Sequence, residues 1–191
     1  AGARRVFAAA TPLLDAAAVS PTGAGVRPSP SRVRLSMGLL EAHGGEISAA
    51  RALLESVEGH EMSPEAALTL GSIARQMGDA KAAEAALARG IGAADAARAP
   101  LATAELRLFA FELAADARDA TRAKAELLAA LTSALEARKV ATETPVRARV
   151  ERLLARVLDR LGDVAGAGRA TDRAITLSSR DARQLSMTLL E

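Results

Sequence analysis

Apolar positions recur at intervals of three and four along most of the chain, as in Val150, Leu153, Leu154, Val157, Leu158 and Leu161, and again in Leu70, Ile73, Ala74 and Met77. That spacing lines one face of an α-helix. No run of β-branched residues of the kind that favours strands interrupts it, so the pattern predicts an all-α protein. Local chemistry sets the helix boundaries. Ser63-Pro64-Glu65 supplies a capping hydroxyl, a Pro suited to a first turn and an acid favoured by the helix dipole, Thr144-Pro145 repeats the signal, and Pro100 belongs in another first turn. Stops are expected at His43-Gly44-Gly45, Met77-Gly78 and Leu161-Gly162, where Gly can adopt the left-handed conformation that ends a helix. These signals predict helices over 31–43, 46–58, 64–77, 80–94, 99–115, 119–139, 145–161, 164–178 and 180–191. Ahead of them, Ala3 to Ala10 and Pro12 to Val19 read as short helical pieces and residues 20–30 as a Pro- and Gly-rich linker. The expected organisation is an N-terminal segment, 1–30, followed by a helical-repeat domain, 31–191, of about four hairpins and a terminal helix.

The helix breaks are periodic. Gly45-Glu46, Gly78-Asp79, Arg118-Asp119 and Gly162-Asp163 each join two helices, at separations of 33, 40 and 44 residues, the period of a helical-hairpin array. After each joint Ala50, Ala83, Ala123 and Ala167 fall at one offset. Leu54, Leu87, Leu127 and Thr171 fall at the next, then Val57, Gly90, Ala130 and Ala174. Before the joints, Met37-Gly38, Leu70-Gly71 and Leu154-Ala155 repeat a large-small pair. Small residues at fixed offsets let paired helices approach closely, and the larger ones fill the space between hairpins.

This pattern resembles the tetratricopeptide repeat family. Leu70-Gly71, Ala74, Gly78-Asp79, Ala83, Leu87 and Gly90 carry the best match, and the likeness extends over residues 31–179. The third and fourth units are several residues longer, which leaves the longer-helix relatives found in bacterial regulators open as well. The resemblance implies an α-solenoid of antiparallel hairpins wound as a right-handed superhelix, whose first helices line a concave groove for a partner's peptide or helix.

Composition narrows the chemistry. The chain of 191 residues has no Cys, two His and no Trp or Tyr. Disulfides, thiolate metal sites and Cys nucleophiles are excluded, and neither a metal nor another cofactor is expected. No Gly-x-Ser-x-Gly elbow, phosphate loop or Glu-x-x-His pair occurs. His43 and His60 sit beside glycines at expected helix ends, where they complement the dipole. The chain is therefore not expected to be an enzyme. Acidic and basic side chains recur too often for a membrane span. Its start at Ala1 and its end inside an expected helix point to a piece of a longer, soluble bacterial protein, cytoplasmic or periplasmic.

Charge carries the local functional signal. Glu41 to Glu65 holds six Glu and one Arg, a net of −5, whereas Arg138 to Arg160 holds seven bases and three acids, a net of +4. Arg149, Arg152, Arg156 and Arg160 fall within an arc of about 80° on one helix. In the repeat register this stripe is on the groove side of the fourth first helix. Its equivalents are Arg32, Leu35, Leu39 and His43 in the first unit, Glu65, Leu68, Ser72, Arg75 and Gln76 in the second, and Glu105, Leu108, Glu112 and Asp116 in the third. One reading makes the stripe a solvated face neutralised in part by Glu151 and Asp159. The other makes it a set of bidentate donors for the carboxylates of an acidic partner segment. The function expected is that of a scaffold or adaptor binding a protein or peptide. A regulatory or ligand-sensing segment of a signalling protein is the alternative, and an RNA-binding repeat a lesser one. Nucleic acid is not expected, since three Phe offer little for base stacking.

Overall fold

The computed structural model describes residues 30–57 and 62–188. Among them are eight helices and no strand: α1 (Pro30–His43), α2 (Ile47–Glu55), α3 (Pro64–Gln76), α4 (Ala80–Ala96), α5 (Pro100–Asp116), α6 (Ala120–Val140), α7 (Thr144–Arg160) and α8 (Val164–Thr188). The expected fold class, all-α with antiparallel hairpins, is the one observed. The short helices, residues 20–29 of the linker and His60 lie outside the described residues. The chain forms two compact units, 1–93 and 94–191. In the first, α1 packs on α2, and α3 on both; in the second, α5 pairs with α6, α7 with α8, and α7 also packs on α5 and α6.

Three residues separate the helices of each hairpin, and hydrogen bonding explains so tight a turn. At the second joint the Gly78 N–H donates to the Arg75 carbonyl (3.0 Å) and the Asp79 N–H to that of Ala74 (2.8 Å), the paired closure that needs one left-handed residue. The same pair closes the helices at Gly45, Arg118 and Gly162, whose φ angles are +83°, +58° and +83°. The next residue then starts the following helix. Asp79, Asp119 and Asp163 each accept the N–H three residues on, from Ala82 (3.0 Å), Arg122 (2.9 Å) and Gly166 (2.8 Å). One aspartate thus ends one helix and caps the next.

Arg118 carries the left-handed conformation without glycine's freedom, a cost of about 1 kcal/mol. Arg118→Gly is therefore expected to raise stability by about 0.5–1 kcal/mol, read as a higher urea midpoint, whereas Arg118→Ala gains nothing because Ala pays the same steric cost.

The cores are built from alanine and leucine. Ala50, Ala83 and Ala123 are buried at the repeated offset, as are Leu54, Leu87 and Leu127. The repeated offsets of the fourth hairpin are buried only in part. Ala174 is buried as the repeat expects and Ala167 half-buried, with Gly166 and Ala170 buried beside them, but Thr171 is exposed. No further hairpin covers Thr171 among the described residues. A break expected near residue 179 is also absent. The hydroxyls of Thr171, Thr176 and Ser179 donate to carbonyls four residues back (2.8–3.0 Å), which accommodates these polar residues within one continuous helix.

Candidate partner-binding faces

In the first unit, Ser63 fixes the phase of α3. Its side-chain oxygen accepts the Ala66 N–H at 3.1 Å, with Pro64 in the first turn. Leu70, Ile73 and Ala74 then turn inward. Leu68, Ser72 and Gln76 are left on another side, where with His43, Ile47 and Ile73 they border a cavity of about 360 Å³. Four of the expected groove positions, His43, Leu68, Ser72 and Gln76, are thereby brought together. Arg32 is exposed and Leu35 and Leu39 half-buried on α1, and Arg75 is half-buried on α3; none of the four borders this cavity. His43 Nδ1 donates to the Leu39 carbonyl at 2.7 Å, the helix-end role expected of it.

Arg51 ties α2 to the start of α4. Its guanidinium meets Glu55 at 2.7 Å and Asp79 at 2.8 Å. The Ala82 N–H, and after it the Arg51 side chain, hold the Asp79 carboxyl below its ordinary value. A carboxyl lowered on folding contributes stability above its unfolded pKa, about 3.9, and loses that contribution as the pH falls through the lowered value. Asp79→Asn keeps a capping oxygen but has no charge to lose. Its urea midpoint is expected to fall less than that of the unmodified chain between about pH 6 and about pH 3, and equal falls would discount the Asp79 contribution.

In the second unit the arginine stripe is divided among different partners. Arg149 makes a bidentate pair with Glu105 of α5, at 2.6 and 2.7 Å. Two turns further on, Arg156 lies 3.6 Å from Glu112. Arg152 turns the other way and donates to the Ser178 hydroxyl at 3.3 Å. Arg160 is exposed in the last turn of α7. Such exposed pairs contribute about 0.2–1 kcal/mol each; their larger effect is to neutralise Arg149. Leu108, expected to line the groove, is buried beneath α7 with Leu127 and Val150.

Glu151 is the residue that pattern reading missed. Expected as a partial neutraliser on a solvated helix, it is instead only 5% exposed. Arg138 of α6 and Arg173 of α8 each hold one of its carboxylate oxygens at 2.8 Å. Beside it a cavity of about 370 Å³ is bordered by Arg138, Arg147, Asp172, Arg173 and Thr176. The signal was present: Glu151 lies about 160° around α7 from Arg149, on the apolar side. Among the described residues no group of three or more His, Asp or Glu is placed to hold a metal ion, and no helix is long and apolar enough to cross a membrane.

No protein-family model matches this sequence, and no curated protein matches it. Solved structures do. BtubC (BKLC) from P. vanneervenii aligns over 95% of this chain and 74% of its own, at 15% identity and a TM-score of 0.63. MamA, a TPR-like protein, aligns over 95% of this chain and 90% of its own, at 16% identity and a TM-score of 0.51. At such identities the likeness is one of fold, and the fold is that of a TPR-like helical repeat.

Proposed function

We propose that this chain is a protein-interaction scaffold, not an enzyme, and that it binds a peptide or helix of a partner protein on the faces of its first helices. The observation that carries this reading is the cavity bordered by His43, Ile47, Leu68, Ser72, Ile73 and Gln76. Apolar and hydrogen-bonding side chains there lie side by side over a core already filled by alanine and leucine, the mixture that recognises a peptide by burial and orients it by polar contacts. The TPR-like fold supports the same reading, since stacked hairpins present extended binding surfaces.

A photo-crosslinking residue at Ser72 or Gln76 in the full chain should capture the partner, whereas one at Lys124, exposed on α6, should not. Leu68→Asp should then weaken binding of that partner at least tenfold, about 1.4 kcal/mol, with the helical circular dichroism unchanged. Equal capture at both places, or full affinity in Leu68→Asp, would refute the assignment of this face.

A further inference from the structure

The third and fourth hairpins differ in one respect that the repeat makes measurable. Positions 44 residues apart correspond, as the identically closed joints at Arg118-Asp119 and Gly162-Asp163 show. On the third hairpin, Leu108, Leu127 and Ala134 are buried, at 3%, 4% and 0% exposure, because α7 lies over them with Val150, Leu153, Leu154 and Val157. Their counterparts on the fourth hairpin, Arg152, Thr171 and Ser178, are exposed. Between them runs a groove of about 660 Å³ bordered also by Ala155, Ala174 and Ile175, and Ile175 is 60% exposed. This is the seat that a first helix occupies one hairpin earlier, with an apolar floor still in place.

We propose that this outer face of the α7–α8 hairpin takes an acidic amphipathic helix from a partner protein, added to the stack as α7 is added to α5 and α6. Charge selects the occupant. On the third hairpin the rim is acidic, with Glu105 and Glu112, and the helix seated there presents Arg149 and Arg156 to it. On the fourth hairpin the rim is basic. Arg152 has replaced Leu108 and, among the described residues, donates to a neutral hydroxyl, and Arg156, 3.6 Å from Glu112 on its other side, stands at the position equivalent to Glu112. A helix with carboxylates two turns apart beside an apolar stripe complements this rim, whereas a copy of α7 brings arginine against arginine. The inference rests on the reading of the chain as a protein-binding scaffold but places the helix on a surface of its own.

The test uses two fluorescein-labelled peptides of the α7 sequence, residues 144–160, titrated with the full chain by anisotropy. One is unchanged and the other carries R149E, R152E, R156E and R160E. The acidic peptide should bind at least tenfold more tightly than the unchanged one, and the advantage should shrink as salt is raised from about 50 to about 300 mM. In the chain, Ile175→Asp and the pair Arg152→Glu and Arg156→Glu should each weaken it at least tenfold, with circular dichroism verifying that both variants are folded. Leu68→Asp, which tests the first-helix face, should leave it unchanged. Equal binding of the two peptides, no binding of the acidic one, or binding that survives Ile175→Asp would overturn the proposal. So would sedimentation showing a dimer that Ile175→Asp returns to monomer, since the occupant would then be a second copy of this chain.

Discussion

Replacing Arg138 and Arg173 together by Met is expected to destabilise the second unit by about 3 kcal/mol at neutral pH. Both guanidiniums bond the same carboxylate, one oxygen each, and Glu151 between them has a side chain only 6% exposed. Removing both partners leaves that carboxylate with neither of its charged donors in a poorly hydrated site, the arrangement for which costs of about 3–5 kcal/mol are typical. The low end applies because Arg138 and Arg173 are themselves 45% and 39% exposed, so truncating them lets some water in. The control removes the charge as well: with Glu151→Leu added, most of the loss should be recovered, since an apolar side chain of similar size has no ion to desolvate. Urea denaturation of the double and triple variants measures both. If the triple variant is no more stable than the double, the triad is not an electrostatic unit.

Gly38→Ala is expected to destabilise the first unit by about 1–3 kcal/mol. A Cβ at Gly38 would lie 2.7 Å from both Cγ and Cδ2 of Leu54 and 3.4 Å from the Ala50 carbonyl oxygen. Leu54 is fully buried, so the clash is relieved only by moving α1 away from α2. Overpacking of this kind costs about 1–3 kcal/mol, and Gly38→Val should exceed that. The coupling is the sharper readout. Leu54→Ala alone should cost about 2–5 kcal/mol, but clearly less when Gly38 is already Ala, because the added methyl occupies part of the space the leucine vacates. Strict additivity would show that the two residues do not share the contact.

The joints were legible in the sequence because they are made of local bonds. A left-handed residue followed by aspartate satisfies the carbonyls of one helix and the N–H groups of the next within about ten residues of chain, so Gly78-Asp79 reads the same in one dimension as in three. The candidate faces were legible in part. Leu68, Ser72 and Gln76 meet His43 of α1 at one cavity because helical phase, fixed by Ser63, carries the three to one side of α3.

Which arginines stay available could not be read that way. Arg149, Arg152 and Arg156 share one arc of α7, yet one pairs with Glu105, one bonds Ser178 and one lies near Glu112, because the neighbours on either side of a helix come from elements 26–44 residues away. The same holds for Glu151, whose neutralising partners come from α6 and α8, and for Thr171, exposed on α8 at the offset where Leu127 is buried on α6. By itself the sequence determined the helices, their joints and the hairpin repeat, since hydrogen bonds between near neighbours and the 3.6-residue period decide those. Only the tertiary structure decided which charges are already spent and which hairpin face is left uncovered, because both depend on what a distant segment brings into contact.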